Sequence, residues 1–249
     1  MIDDRVIKQI KAYETEFKSF MRIEDFPSYS LQSKVSTVAT ANKQGFEVAA
    51  CTHYQVESRK HTLTISGNLI PAKYLIFHEF THIFDTETLA KDDVIRYIGV
   101  SGFTEYHASQ IELLQLLGSE NSCSSISFSM NDIIETLSGC VSVQQYINEK
   151  QQHAIDLFSR VDFPANINTL KSSMGVLFNY FGLRSICEMY ATDYNEKVNN
   201  QAYLKYISTH QFIPINNLMH GWLDSARINL SIILYNDIMR SLIKDYNLK

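Results

Sequence analysis

The periodicity of the chain changes at Gly67. Before it, residues 46–56 alternate strictly. Phe46, Val48, Ala50, Thr52, Tyr54 and Val56 fall on one side, and Glu47, Ala49, Cys51, His53 and Gln55 on the other. That is the period-2 signature of a strand with one wetter face. Gly67 and Asn68 break the pattern, and from Pro71 onward apolar residues recur at helical spacing instead. The change restricts the chain to an α+β class, with its strands early and a mainly helical C-terminal half.

Two more strands are expected beside the alternating one. Residues 34–41 (KVSTVATA) are rich in β-branched types, and residues 61–66 read HTLTIS. With NKQG at 42–45 and ESRK at 57–60 as turns, the three predict a small antiparallel meander. A helix over residues 3–20 precedes it, capped by Asp3 or Asp4, with Val6, Ile10, Tyr13 and Phe17 on one face. Further helices are expected at about 71–86, 102–117, 131–158, 166–191, 197–208 and 215–246. The small, polar run GSENSCSSISFSM marks a boundary, dividing a subdomain at 1–118 from a helical one at 119–249.

The helix after the sheet carries the sequence YLIFHEFTHIFD, residues 74–85. Positions four apart on a helix differ by only about 40° in direction. His78 and His82 therefore project side by side, where two neutral imidazoles can hold two corners of a zinc tetrahedron. Glu79 lies about 100° around from His78, beside an ion rather than on it. It is placed to take a proton from a metal-bound water, the division of labour in an HExxH motif.

A catalytic zinc needs a third protein ligand. Glu105, 23 residues after His82 and early in the next expected helix, is the best candidate. Its competitors are His107, about 200° around the helix from Glu105, and Glu112, two turns further on nearly the same face. The alternative for Glu105 is a solvated acid at a helix start, favoured there by the helix dipole.

This layout of strand, HEFTH helix and glutamate helix resembles the gluzincin class of zinc metallopeptidases. Within that class it is similar to the ImmA/IrrE-type peptidases. The resemblance covers about residues 45–117. It implies a zinc-dependent hydrolase acting on an extended peptide or protein substrate laid along a strand edge. His78, His82 and Glu105 would be the ligands and Glu79 the base. Gluzincins place an aspartate four residues after the third ligand, where it orients the first histidine; Ser109 stands at that position here. Asp85, one turn beyond His82, reads either as a substitute orienter or as a surface acid at the end of the helix. Donors for a developing oxyanion are sought among Tyr180, Arg184, Tyr190, His210 and His220, with the run Met219, His220, Gly221 and Trp222 as a compact group.

Composition narrows the alternatives. The net charge is −5, so no basic excess is available to neutralise phosphates, and nucleic acid is not an expected partner. No stretch reaches the roughly 18 apolar residues a membrane span needs. Cys51, Cys123, Cys140 and Cys187 show no paired spacing and read as free thiols of a cytoplasmic protein. No phosphate-binding loop and no nucleophile elbow appears. His53 and His61 read as surface residues on strands, and the apolar stripes of 166–246 as helix cores. A catalytically inactive relative that binds or regulates is the competing reading, motivated by Ser109.

Overall fold

The computed structural model of the chain describes residues 2–34, 50–67, 70–90, 93–195 and 200–248. Most of the strand expected at 34–41, the turn at 42–45 and residues 46–49 of the alternating strand lie outside the described residues. The fold is α+β, with small sheets of two and three strands and a mainly helical C-terminal half. Two compact units are present. One comprises residues 1–97 and 111–124, the other residues 98–110 and 125–249. The sequence boundary was expected at 118/119.

The first unit opens with α1 (Asp4–Met21). Asp3 caps it by accepting from the Arg5 backbone N–H, and Val6, Ile10, Phe17 and Phe20 are buried. Tyr13, expected on the same face, is only half-buried. The strands β1 (Tyr29–Lys34), β2 (Ala50–Gln55) and β3 (Lys60–Ser66) form one sheet in the order β1-β3-β2. β2 pairs antiparallel with β3, but β1 runs parallel to β3, with Leu31 opposite Leu63. The antiparallel pairing of β2 with β3 is the one expected, the third strand expected beside them lies almost wholly outside the described residues, and β1 is a strand the sequence reading did not expect. β3 buries His61, Leu63 and Ile65 and takes the central place. A strand that joins its remaining edge need not follow chain order. The alternation read from the sequence holds over β2, where Ala50 and Tyr54 are buried and Cys51, His53 and Gln55 exposed.

Helix α2 (Lys73–Asp85) packs on this sheet and on α1. Its apolar side buries Ile76, Phe77, Phe80 and Ile83. Phe17 meets Phe77 at 5.3 Å and Phe80 at 5.5 Å between ring centroids, both edge to face. Phe26 meets Phe80 at 5.0 Å in the same manner. Full burial of each ring contributes about 1.5–3 kcal/mol, and the edge-to-face geometry adds to it. This aromatic wedge fixes which side of α2 faces inward, and so fixes the direction of His78, Glu79 and His82. A π-helical turn (Thr86–Ala90) continues the helix.

Helix α3 (Val94–Leu116) starts eight residues earlier than expected, because Asp93 accepts from the Arg96 backbone N–H at 2.9 Å and caps it there. Its two ends belong to the first unit and its centre to the second.

The second unit continues with a hairpin, β4 (Ile133–Thr136) and β5 (Gly139–Ser142), where helix was expected. Gly139 has φ +107°, a conformation a helix cannot contain, and Ile133, Ile134, Thr136 and Val141 are β-branched. Then come α4 (Val143–Ser159), α5 (Ile167–Tyr190), α6 (Gln201–Leu204), α7 (Thr209–Leu218) and α8 (Ser225–Asp245). α5 is the buried axis of this unit. The single helix expected at 215–246 is two helices. Gly221 at φ +64° interrupts it, and Asp224 restarts it by accepting from the Arg227 backbone N–H at 2.8 Å. No helix among the described residues is long and apolar enough to cross a membrane.

Candidate metal centre

Helix geometry sets the first part of the site. On α2 the His78 and His82 rings lie 4.8 Å apart between centroids, at 77° to one another. They do not point into separate environments. His78, His82 and Glu105 each offer one ligand atom, and these atoms all lie within 4.8 Å of one another. Two imidazoles and a carboxylate form the donor set of a catalytic zinc with one corner left for water. Bonds of about 2.1 Å give a tetrahedral edge of about 3.4 Å, so the ligand atoms need to draw in by about an ångström or more to close on an ion.

Glu105 is not a helix-start acid. With α3 beginning at Val94, it sits mid-helix, half-buried, where the dipole offers no favour. Gly175 of α5 faces its carboxylate. A Cβ at Gly175 would stand 3.2 Å from Oε1 and 3.5 Å from Cδ of Glu105. The carboxylate packs against bare backbone there, and a Cβ would press on it by a few tenths of an ångström. Two helix turns on, Gly182 comes so close to α3 that a Cβ would lie 2.1 Å from the Tyr106 carbonyl oxygen. Both glycines hold α3 against α5 at the turn bearing Glu105.

The other acids have distinct partners. Glu79 Oε2 accepts from the Thr52 hydroxyl at 2.9 Å, which ties the expected base to strand β2. The Cys51 thiol, next along that strand, is held above its ordinary range, first by partial burial and then by the Glu79 charge. Glu112 is buried, and its Oε2 lies 2.7 Å from Nδ1 of His78. It is thus a neighbour of the first histidine and stands outside the ligand group. Ser109 donates its hydroxyl to Asn179 Oδ1 at 2.8 Å. Asp85 is buried at the end of α2. His107 stacks on Phe103 at 5.6 Å and meets the Trp222 ring edge-on at 6.1 Å; it too stands outside the ligand group.

The residues considered for an oxyanion have structural partners within the second unit. Arg184, 2% exposed, donates to Asn216 Oδ1 at 2.7 Å and to the Met219 carbonyl at 3.0 Å. His220 lies between Arg184 at 3.2 Å and Glu188 at 2.7 Å. Trp222 donates to the Tyr190 hydroxyl at 3.2 Å, and Gln151 to that of Tyr180 at 2.8 Å. Tyr106 and Gln110 of α3 both donate to the Gly221 carbonyl. The Met219–Trp222 loop is thereby a braced connection. His210 is exposed.

His61 corrects a sequence reading: it is 3% exposed, stacked on Tyr54 at 4.5 Å and 3.1 Å from Glu87. Burial lowers its proton affinity and Glu87 partly restores it. Thr52, Gly175 and the orientation of Glu112 were missed from the sequence. Thr52 left one signal, a hydroxyl on the inward side of an alternating strand between Ala50 and Tyr54.

No family model matches the chain, and no curated protein matches it. Among solved structures, the chain is similar to a protein of Colwellia psychrerythraea described as a "putative lipoprotein", at 13% identity and a TM-score of 0.34. The match covers 97% of this chain, which spans 43% of the length of the other. A superposition that loose establishes neither a common fold nor a common activity.

Proposed function

We propose that the chain is a zinc-dependent metallopeptidase that hydrolyses a peptide bond in a peptide or protein substrate. His78, His82 and Glu105 hold the ion, and Glu79 is the general base. The observation that carries this reading is the gathering of three ligand atoms within 4.8 Å, from residues 27 positions apart at the extremes (105 − 78). Support comes also from the close packing of Gly175 on the Glu105 carboxylate, which a Cβ would crowd.

Zinc bound there supplies an electrophile and a water acidified to a pKa near 7. The remaining work belongs to the chain. Thr52 holds Oε2 of Glu79 and so fixes the plane of that carboxylate against β2. Glu79 takes the proton of the attacking water and later delivers it to the leaving amine, as one group serving in turn as base and acid. The net change is one water consumed and one peptide bond replaced by a carboxylate and an amine. The reading places the protein in the cytoplasm, consistent with four cysteines that are all free.

The decisive substitution is Glu79→Gln. It keeps size and hydrogen bonding but removes the base. Zinc content is expected to stay at one per chain, while cleavage of a mixed peptide library falls by about 10² or more. A second reading, an inactive relative that binds or regulates, is favoured by Ser109 at the aspartate position, engaged with Asn179. Biological activity that survives Glu79→Gln with zinc still bound would select that reading.

A further inference from the structure

We infer that Glu112 orients His78 on the ion, so that the histidine coordinates through Nε2 with its Nδ1–H given to Glu112. The inference rests on the metal-binding reading above. It moves the positioning role away from residue 109, where the gluzincin resemblance would put it.

Three observations carry it. First, Glu112 Oε2 lies 2.7 Å from His78 Nδ1, within ion-pair distance though not aligned as a hydrogen bond, and Glu112 is 3% exposed. A carboxylate that deeply buried is stable only beside positive charge or strong donors. An imidazole N–H polarised by a metal on its other nitrogen is such a donor. Second, Ser109 gives its hydroxyl to Asn179. Third, Glu105 and Glu112 are seven residues apart on one continuous helix, about 10.5 Å along its axis and about 20° around it. A single imidazole ring meets both only by turning one nitrogen to each. With Nδ1 at Glu112, Nε2 is the ring nitrogen left for an ion. Glu112 would thus set the tautomer, fix the ring plane and raise the basicity of the coordinating nitrogen.

The test reads the tautomer and the affinity rather than turnover. In the chain labelled with 15N-histidine and loaded with one equivalent of zinc, His78 is expected to carry its proton on Nδ1 and the metal on Nε2. Long-range proton–nitrogen correlations distinguish the two nitrogens, and zinc on Nδ1 overturns the inference. In competition with a chromophoric chelator, Glu112→Gln is expected to weaken zinc binding by about 10- to 100-fold, and Ser109→Ala by less than about twofold. Equal weakening by the two substitutions, or none by Glu112→Gln, also overturns it. If Glu112→Gln does not fold, the tautomer in the unaltered chain decides alone. A chain that takes up no zinc refutes the metal-binding reading itself, a result distinct from zinc bound through the wrong nitrogen.

Discussion

Gly182→Ala tests whether the packing of α3 on α5 sets the position of a ligand. A Cβ at residue 182 would stand 2.1 Å from the Tyr106 carbonyl oxygen and 3.0 Å from Ser109 Cβ. A carbon settles against a carbonyl oxygen at about 3.3 Å, so the helices must part by about 1.2 Å at this level. Overpacking of that kind costs about 3 kcal/mol, at the upper end of its usual range, because the clash is with backbone. Alanine returns about 1 kcal/mol through its helix propensity. The net loss is about 2 kcal/mol, which in a chain of this size lowers the thermal midpoint by about 4–8 °C. Tyr106 follows Glu105 directly, so the same displacement moves the carboxylate by more than the roughly 0.5 Å a metal site tolerates. Zinc affinity should fall at least about tenfold. The assay pairs thermal unfolding of the metal-free chain with zinc titration. A metal-free midpoint at or above that of the unaltered chain would refute the packing argument. A lowered midpoint with unchanged zinc affinity would refute the link from packing to site.

Gly175→Ala places its Cβ 3.2 Å from Glu105 Oε1, a contact relieved by a few tenths of an ångström. It should weaken zinc binding with little change in the metal-free midpoint, and unchanged affinity would remove this contact from the account. Thr52→Val deletes the donor to Glu79 while keeping its shape; with a charge-assisted bond worth about 1.5–3 kcal/mol, kcat should fall about tenfold or more at constant zinc affinity, and Thr52→Ser should restore it. An unchanged kcat in the valine variant would show that the strand does not hold the base. Burial, with Lys150 adding to it, lowers His153 to about 4. Its folded value lies below the unfolded one of about 6.5, so the unfolded chain binds more protons between those limits; stability is full above pH 6.5 and is lost as pH falls toward 4. Thermal midpoints should drop across that window, and less so in His153→Gln; the same drop in both would assign it to other groups, His61 first.

What could be read from the sequence divides along physical lines. α1, the HEFTH helix and α5 were legible because each carries a long apolar stripe and either a cap or a breaker at its end. The hairpin at 133–142 was not, because four-residue strands give too few repeats for period 2 to separate from 3.6. The parallel pairing of β1 with β3 depends on which strand becomes central, a tertiary choice that chain order does not encode. At the site, His78 and His82 share one helix, so local geometry placed them. Glu105 was reached by spacing and residue type, and its half-buried, mid-helix setting appears only once Asp93 is seen to cap α3. Spacing makes Glu112 a ligand candidate, because it shares a face with Glu105. Its place beside Nδ1 of His78 depends on how two helices meet, and no spacing rule supplies that.

The central claim is that one ion is gripped by His78, His82 and Glu105. Anomalous diffraction at the zinc edge, from crystals of the chain loaded with one equivalent of zinc, measures this directly. The account predicts one site, with a nitrogen of each histidine and a Glu105 carboxylate oxygen within about 2.0–2.2 Å. Zinc held by Glu112 in place of Glu105, or the absence of any ion between the two rings, would contradict it.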